Sequence, residues 1–120
     1  VNMKRMIKLL FVCFLITGCG SSKYTNIDSN EAMKLLENNN TVIIDVRDSD
    51  EYETGHIANS VNIPLNDIAN IDYSNDQAII LYCATGVRSL QAIDILSDKG
   101  YTNLYNLDGG LLNWGFELEE

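Results

Sequence analysis

The residue types best suited to covalent chemistry lie in one short stretch, residues 83–89. An apolar run of strand length, residues 78–82, ends at Cys83, a turn containing Gly86 follows, and Arg88 precedes a helical pattern. A strand, a tight loop and a helix in this order aim backbone N–H groups at one point, which favours an anion there. These donors and the guanidinium should lower the pKa of the Cys83 thiol. We therefore predict that Cys83 is a nucleophile, the alternative being an inert cysteine buried at a strand end.

The loop after Cys83 is predicted to bind the substrate or the charged sulfur. Gly86 permits a positive φ and close approach. A cation at a helix start opposes the helix dipole unless an anion lies nearby, which favours a functional role for Arg88. The predicted substrate-binding residues are Ala84, Thr85, Gly86, Val87, Arg88 and Ser89, with Arg47 as a further candidate.

Arg47 and Asp45 lie at the carboxyl end of another predicted strand, where open α/β sheets bind ligands. The alternative for both is structural: an ion pair of Arg47 with Glu51, or hydrogen bonds from Asp45 to neighbouring loops. The residue types alone leave both alternatives open.

Hydrophobic patterns predict alternating helices and strands. We expect helices over residues 30–37 (capped by Asp28 or Ser29), 50–53, 65–71 and 89–99, and strands over residues 41–46, 60–63, 78–82 and 103–107. Alternation of this kind predicts an α/β fold with a mostly parallel sheet and helices on both faces. No metal or other cofactor is expected.

The charge balance excludes one class of partner. The chain carries 17 acidic and 8 basic residues, and without residues 1–18 only 5 bases remain, a net charge of −12. Nucleic acid is therefore not an expected partner, because it binds basic surfaces. An anion site in such a chain must rely on local donors.

The first residues have the layout of a secretory signal peptide. Three bases within residues 4–8 precede the apolar run 9–16, which is too short to span a bilayer. Residues 15–19, Leu-Ile-Thr-Gly-Cys, resemble a bacterial lipobox. That resemblance implies cleavage after Gly18 and lipidation of Cys19, hence a membrane anchor on the extracytoplasmic side of the bacterial cell envelope. The alternatives are an ordinary cleaved signal or a retained apolar helix.

This organisation divides the chain into a signal peptide (1–18), a lipidated cysteine with a flexible tether (19–27), a folded domain (28–117) and an acidic tail (118–120). Cys13 would leave with the signal peptide and Cys19 would carry lipid. Cys83 would then be the only free thiol of the folded domain.

Six motifs in order resemble a rhodanese domain over residues 28–117: residues 45–47 (Asp-Val-Arg), 51–52 (Glu-Tyr), 55–57 (Gly-His-Ile), 62–64 (Asn-Ile-Pro), the Cys83 loop and 108–110 (Asp-Gly-Gly). The resemblance implies a three-layer fold with about five strands and a sulfurtransferase that carries sulfur as a Cys83 persulfide. The implied donor is thiosulfate, a related small sulfur anion or a persulfide, and the implied acceptor is a thiol or cyanide. His56 resembles a packing residue rather than a general base.

The loop length separates this family from a rival that shares the fold. Cysteine phosphatases of the cell-cycle dual-specificity type have the loop pattern Cys-x5-Arg. In this chain Cys83 and Arg88 form the shorter pattern Cys-x4-Arg, which the rhodanese resemblance associates with sulfur chemistry. Many sulfurtransferases of this type carry a basic or polar residue where this chain has Ala84. This departure favours a persulfide or another donor over thiosulfate, or slow turnover. The alternative function is a non-catalytic sulfur-carrier, redox-sensing or partner-binding module.

Overall fold

The computed structural model describes residues 23–120, and within them five strands form one parallel sheet in the order β1-β5-β4-β2-β3. The predicted signal peptide and Cys19 lie outside the described residues. The strands are β1 (Thr25–Ile27), β2 (Val42–Asp45), β3 (Val61–Asn62), β4 (Ile79–Tyr82) and β5 (Leu104–Leu107).

Helices connect the strands and cover both faces of the sheet, which confirms the predicted α/β class. They are α1 (Ser29–Leu36), α2 (Ser49–Glu53) and α3 (Val87–Asp98), with 3-10 helices at Leu65–Asn70 and Gly110–Asn113. Asp28 caps α1 in a capping box with Glu31, satisfying backbone N–H groups at the helix start. No helix within residues 23–120 is long and apolar enough to cross a membrane.

The central strand β4 shows why the sheet needs two covering layers. All four of its residues are fully buried, and successive side chains point to opposite faces. Leu81 and Cys83 join the core under α3, whereas Ile80 and Tyr82 join the core on the α1 side. The strand therefore ends with Cys83 on the face that α3 covers.

Most predicted boundaries differ from the observed ones by one or two residues, and two of the differences affect the residues around Cys83. The predicted tether is wrong over its last residues, because Thr25–Ile27 forms the edge strand β1 alongside β5. Pairing of this kind uses backbone groups, so a three-residue strand with polar side chains leaves little pattern to detect. Helix α3 begins at Val87 rather than Ser89, because Gly86 already serves as its N-cap.

Candidate active site

The sulfur of Cys83 lies in a cradle of hydrogen-bond donors. It accepts the N–H of Gly86 at 3.0 Å and that of Ser89 at 3.4 Å, and it lies 3.6 Å from Ser89 Oγ. Gly86 adopts a φ of 104°, a left-handed conformation that lets the chain turn directly into α3. The early start of α3 thus brings two amides to the sulfur, and Cys83 itself is only 1% exposed.

The pKa of the Cys83 thiol reflects two opposing effects. Burial raises this pKa, but hydrogen bonds from the backbone amides of Ser89, Gly86 and Thr85 counteract burial, and the net shift is below the usual value. The thiolate is the nucleophilic form of cysteine, so the cradle increases the reactive fraction.

The 3-10 helix Gly110–Asn113 is hydrogen-bonded to the start of the Cys83 loop. The N–H of Leu111 donates to the Cys83 carbonyl at 2.9 Å, and the N–H of Leu112 donates to the Ala84 carbonyl at 3.1 Å. Gly110 has a φ of 61°, and a Cβ there would overlap the Cys83 carbonyl oxygen. The Gly109–Gly110 turn therefore allows the backbone approach that fixes the carbonyls of the cradle.

Arg88 lies in the first turn of α3, where its guanidinium forms a bidentate pair with Glu51 of α2, at 2.8 and 3.0 Å. Hydrogen bonds from Arg88 lower the pKa of Glu51 to about 2, and those with Glu51 raise the pKa of Arg88. Both side chains remain about one-third exposed. The predicted charged donor is thus present, but a carboxylate already offsets its charge.

Arg47 is tied to the protein interior. Its guanidinium contacts the Asp45 carboxylate at 2.7 Å, donates to the Gly55 carbonyl at 2.7 Å and lies over the Tyr82 ring. Burial lowers the pKa of Arg47, but hydrogen bonding and the charge of Asp45 raise it above its usual value. The sequence alternative that paired Arg47 with Glu51 is wrong: each arginine has a different carboxylate.

The side chains of the other loop residues differ in exposure. Thr85 and Val87 are exposed and Ala84 is half-buried. Thr85, Gly86 and Val87 line a groove of about 480 Å³ together with residues that include Asn106 and Asp108. Within residues 23–120, no group of three or more histidine, cysteine or acidic side chains is placed to hold a metal.

Sequence reasoning missed one polar network beside the cysteine. The Ser89 hydroxyl donates to Asn106 Oδ1 at 2.7 Å, and Asn106 Nδ2 donates to Asn26 Oδ1 at 2.8 Å. Asn26 and Asn106 are register partners in β1 and β5. The available signal was an asparagine inside the otherwise apolar end of β5.

A family model for the rhodanese-like domain matches residues 28–117. The chain belongs to this family. The rhodanese fold is shared with a rhodanese-like domain protein from Staphylococcus aureus, with a TM-score of 0.70, 34% identity, and coverage of 79% of this chain and 96% of that one. A rhodanese-related protein from Thermoplasma volcanium also gives a TM-score of 0.70, at 28% identity over 80% of this chain and 98% of that chain.

Curated relatives of this rhodanese differ in length and in name. The thiosulfate sulfurtransferase GlpE of Pseudoalteromonas translucida is 32% identical over 93 residues, which cover 76% of this chain and 89% of that protein. The uncharacterized protein YqhL of Bacillus subtilis is 39% identical over 79 residues, covering 64% of this chain and 63% of the relative. A tRNA uridine(34) hydroxylase of Prochlorococcus marinus is 31% identical over 108 residues, and the match covers 80% of this chain but only 35% of that enzyme.

His56 of this rhodanese domain lies away from the sulfur cradle, in a packing environment. Its ring stacks on Tyr52 at 3.8 Å between centroids, and its Nδ1 lies 2.9 Å from the Tyr52 carbonyl oxygen. Its backbone pairs with that of Glu119, so part of the predicted acidic tail packs back on the domain.

Proposed function

We propose that this protein is a sulfurtransferase that carries sulfane sulfur on Cys83. The observation that carries the proposal is the cradle itself: a buried sulfur that accepts two backbone N–H groups at the start of a helix. Fixed donors of this type stabilise the thiolate before reaction and the charged persulfide afterwards, without having to reorient.

The reaction has two displacement steps. The Cys83 thiolate attacks the outer sulfur of the donor, the donor's sulfur–sulfur bond breaks, and its electron pair leaves with sulfite or with a thiolate. A cyanide or thiol acceptor then attacks the terminal sulfur of the Cys83 persulfide, and the Cys83 thiolate is regenerated. Splitting the transfer through a covalent intermediate lets one donor site serve several acceptors.

A persulfide is the donor that the local charges favour. Thiosulfate carries two negative charges, whereas the guanidinium of Arg88 is already paired with Glu51, and Ala84 supplies no charge. The net charge of −12 over residues 19–120 also disfavours a small dianion. A persulfide brings at most one negative charge to the sulfur.

Cyanide-dependent thiocyanate formation tests the proposal. The full chain is assayed with thiosulfate, polysulfide and a small-molecule persulfide, and Cys83→Ser should abolish turnover with every donor. In the unprocessed full chain, which keeps residues 1–18 and carries no lipid, Cys13→Ser and Cys19→Ser are matched controls that remove a thiol elsewhere and should leave turnover unchanged. Turnover that survives in Cys83→Ser would refute the assignment.

Mass spectrometry distinguishes catalysis from the alternative, a sulfur-carrier or redox-sensing module. Incubation with a donor should add one sulfur atom to Cys83, and addition of cyanide should remove it. A stable adduct that cyanide leaves in place would favour a module that carries sulfur without turnover.

We also propose that the protein is anchored to the outer face of a bacterial membrane through lipid on Cys19. The support is the lipobox-like run at residues 15–19 behind a short apolar stretch. Metabolic labelling with palmitate should mark the wild type and not Cys19→Ala. An unlabelled wild-type protein would overturn this assignment.

A further inference from the structure

The Ser89 hydroxyl lies between two groups that compete for its single proton. Asn106 Oδ1 is 2.7 Å away, and the Cys83 sulfur is 3.6 Å away. A hydroxyl donates one hydrogen bond at a time and accepts through its lone pairs. The short distance places the Ser89 proton on the Asn106 side, so a lone pair of Ser89 faces the sulfur and accepts the thiol proton.

The asparagine is held in the orientation that accepts this proton. Its Nδ2 donates to Asn26 Oδ1 at 2.8 Å, which turns the Oδ1 of Asn106 toward Ser89. Ser89 is fully buried and Asn106 is 3% exposed, so bulk water does not replace either partner. The buried hydrogen bond between Ser89 and Asn106 holds these two side chains in one arrangement.

Ionisation of Cys83 changes the hydrogen bond that Ser89 can make with the sulfur from one it accepts to one it must donate. The S–H bond breaks, the proton passes to solvent, and the electron pair stays on the sulfur, which becomes purely an acceptor. A lone pair of Ser89 facing that sulfur is then unfavourable. The hydroxyl must turn toward the thiolate and give up its bond to Asn106.

We infer that Asn106 is a positioning residue for Cys83: by holding the Ser89 proton, it favours the neutral thiol and restrains formation of the thiolate. This inference deepens the proposed function, on which its catalytic meaning rests. Ionisation of the thiol is nevertheless measurable without any sulfur donor, so the two ideas fail separately.

Other charged groups also surround the cysteine, and the test must leave them in place. Those on the elements packed around the cradle are Arg88 of α3, Glu51 of α2 and Asp48 before it, Asp45 and Arg47 at the end of β2, and Asp108 after β5. The phenol of Tyr82 lies on the other face of the sheet, beside Ser60. Substitution of Asn106 by a neutral residue changes none of these charges.

The pH dependence of Cys83 alkylation tests the inference. The full chain reacts with iodoacetamide across a pH series, and trypsin then releases residues 48–88, a peptide that contains Cys83 and is identical in every variant named below. Asn106→Leu frees the Ser89 hydroxyl for the sulfur. We expect its alkylation midpoint to move about one pH unit lower, a roughly tenfold change in the ionisation constant.

A double-mutant cycle separates positioning from general damage to the fold. Ser89→Ala supplies a background without the hydroxyl, which removes both the acceptor for the thiol proton and the donor that the thiolate would use. In the Ser89→Ala background, Asn106→Leu should produce no further shift, since no hydroxyl remains to be released. Asn103→Leu removes a half-buried asparagine that immediately precedes β5 and donates to the Asp76 carbonyl, and it should leave the midpoint unchanged.

Three results would overturn the inference. They are an unchanged or raised midpoint in Asn106→Leu, an equal shift of that variant in the Ser89→Ala background, and the same shift in Asn103→Leu. If the alkylation midpoints shift as expected but the wild type transfers no sulfur, the result would count against the proposed function and not against this inference.

Discussion

The only two arginines within residues 23–120 each bind a carboxylate, yet the two pairs lie in opposite environments. The side chains of Arg47 and Asp45 are 7% and 0% exposed, and the guanidinium also bonds the Gly55 carbonyl. The side chains of Arg88 and Glu51 are 32% and 37% exposed beside the cysteine loop. Similar distances, 2.7 and 2.8 Å, therefore occur in very different environments.

Burial decides what each guanidinium can do. If Arg47 separated from Asp45, an unpaired charge would remain buried in the core, so this pair is structural. Exchanging Glu51 for another anion would cost Arg88 less than leaving Asp45 would cost Arg47, because water screens the exposed pair. Sequence position suggested ligand binding for both arginines, and for Arg88, which is about one-third exposed, this stays a prediction.

The largest expected effect is on stability, from breaking the buried pair. Asp45→Ala leaves Arg47 charged and without its carboxylate, which should lower the free energy of unfolding by about 3–5 kcal/mol. Urea denaturation measures the loss. Asp94→Ala is the control, since it breaks an exposed pair with Lys23 at 3.4 Å and should change stability by less than about 1 kcal/mol. Equal losses would remove the distinction between buried and exposed pairs.

Breaking the exposed pair should affect catalysis more than stability. Arg88→Met should change the free energy of unfolding by less than about 1 kcal/mol. Loss of a charged donor at the site should lower kcat/KM for sulfur transfer by about 10²-fold. Arg88→Lys keeps the charge but loses the bidentate geometry, so its kcat/KM should lie between those of the wild type and Arg88→Met. A large loss of stability with unchanged kcat/KM would make Arg88 a structural residue like Arg47.

Releasing Arg88 from its partner should give a smaller effect of opposite sign. In Glu51→Gln the guanidinium is no longer neutralised, while glutamine can still close the capping box with Asp48. We expect kcat/KM with thiosulfate to rise several-fold, about the size of an exposed electrostatic interaction. Glu53→Gln makes the same charge change on an exposed residue of the same helix, and an equal rise there would contradict a specific role for Glu51.

The smallest expected effect is the pH dependence of the exposed pair. The pKa of Glu51 is lowered from 4.5 to about 2 by hydrogen bonds from Arg88, so the pair stabilises the fold at pH values above 4.5 and loses this contribution as pH falls toward 2. The free energies of unfolding of the wild type and of Glu51→Gln should differ by less than about 1 kcal/mol at pH 6. This difference should shrink as the pH falls toward 2. A difference that grows on acidification would contradict this sign.

Much of the local cradle was predictable because it depends on neighbours in sequence. The apolar run before Cys83, the glycine at position 86 and the helical pattern after it specify a strand, a left-handed turn and a helix. The start of α3 was predicted two residues too late, because Val87 and Arg88 look like loop residues until Gly86 is seen to act as the N-cap. The catalytic role of Cys83 stays a prediction.

The partners of the site residues were not predictable in the same way. Glu51 and Arg88 are 37 positions apart, and Ser89 and Asn106 are 17 apart. Either arginine could have paired with Glu51 on sequence grounds. The outcome depends on α2 lying beside the start of α3 and on β5 lying next to β4, and both are properties of the assembled sheet.

The sequence by itself determined the α/β class, the family and the position of the thiol, because these follow from periodicity, glycine placement and motif order along the chain. Only the tertiary structure decided that Arg47 is a core residue and that Glu51 offsets the charge of Arg88. It alone placed Asn106 against Ser89. The physical reason is that burial and pairing are set by which strands and helices become neighbours, and a guanidinium or a hydroxyl has no fixed role until its neighbours are in place.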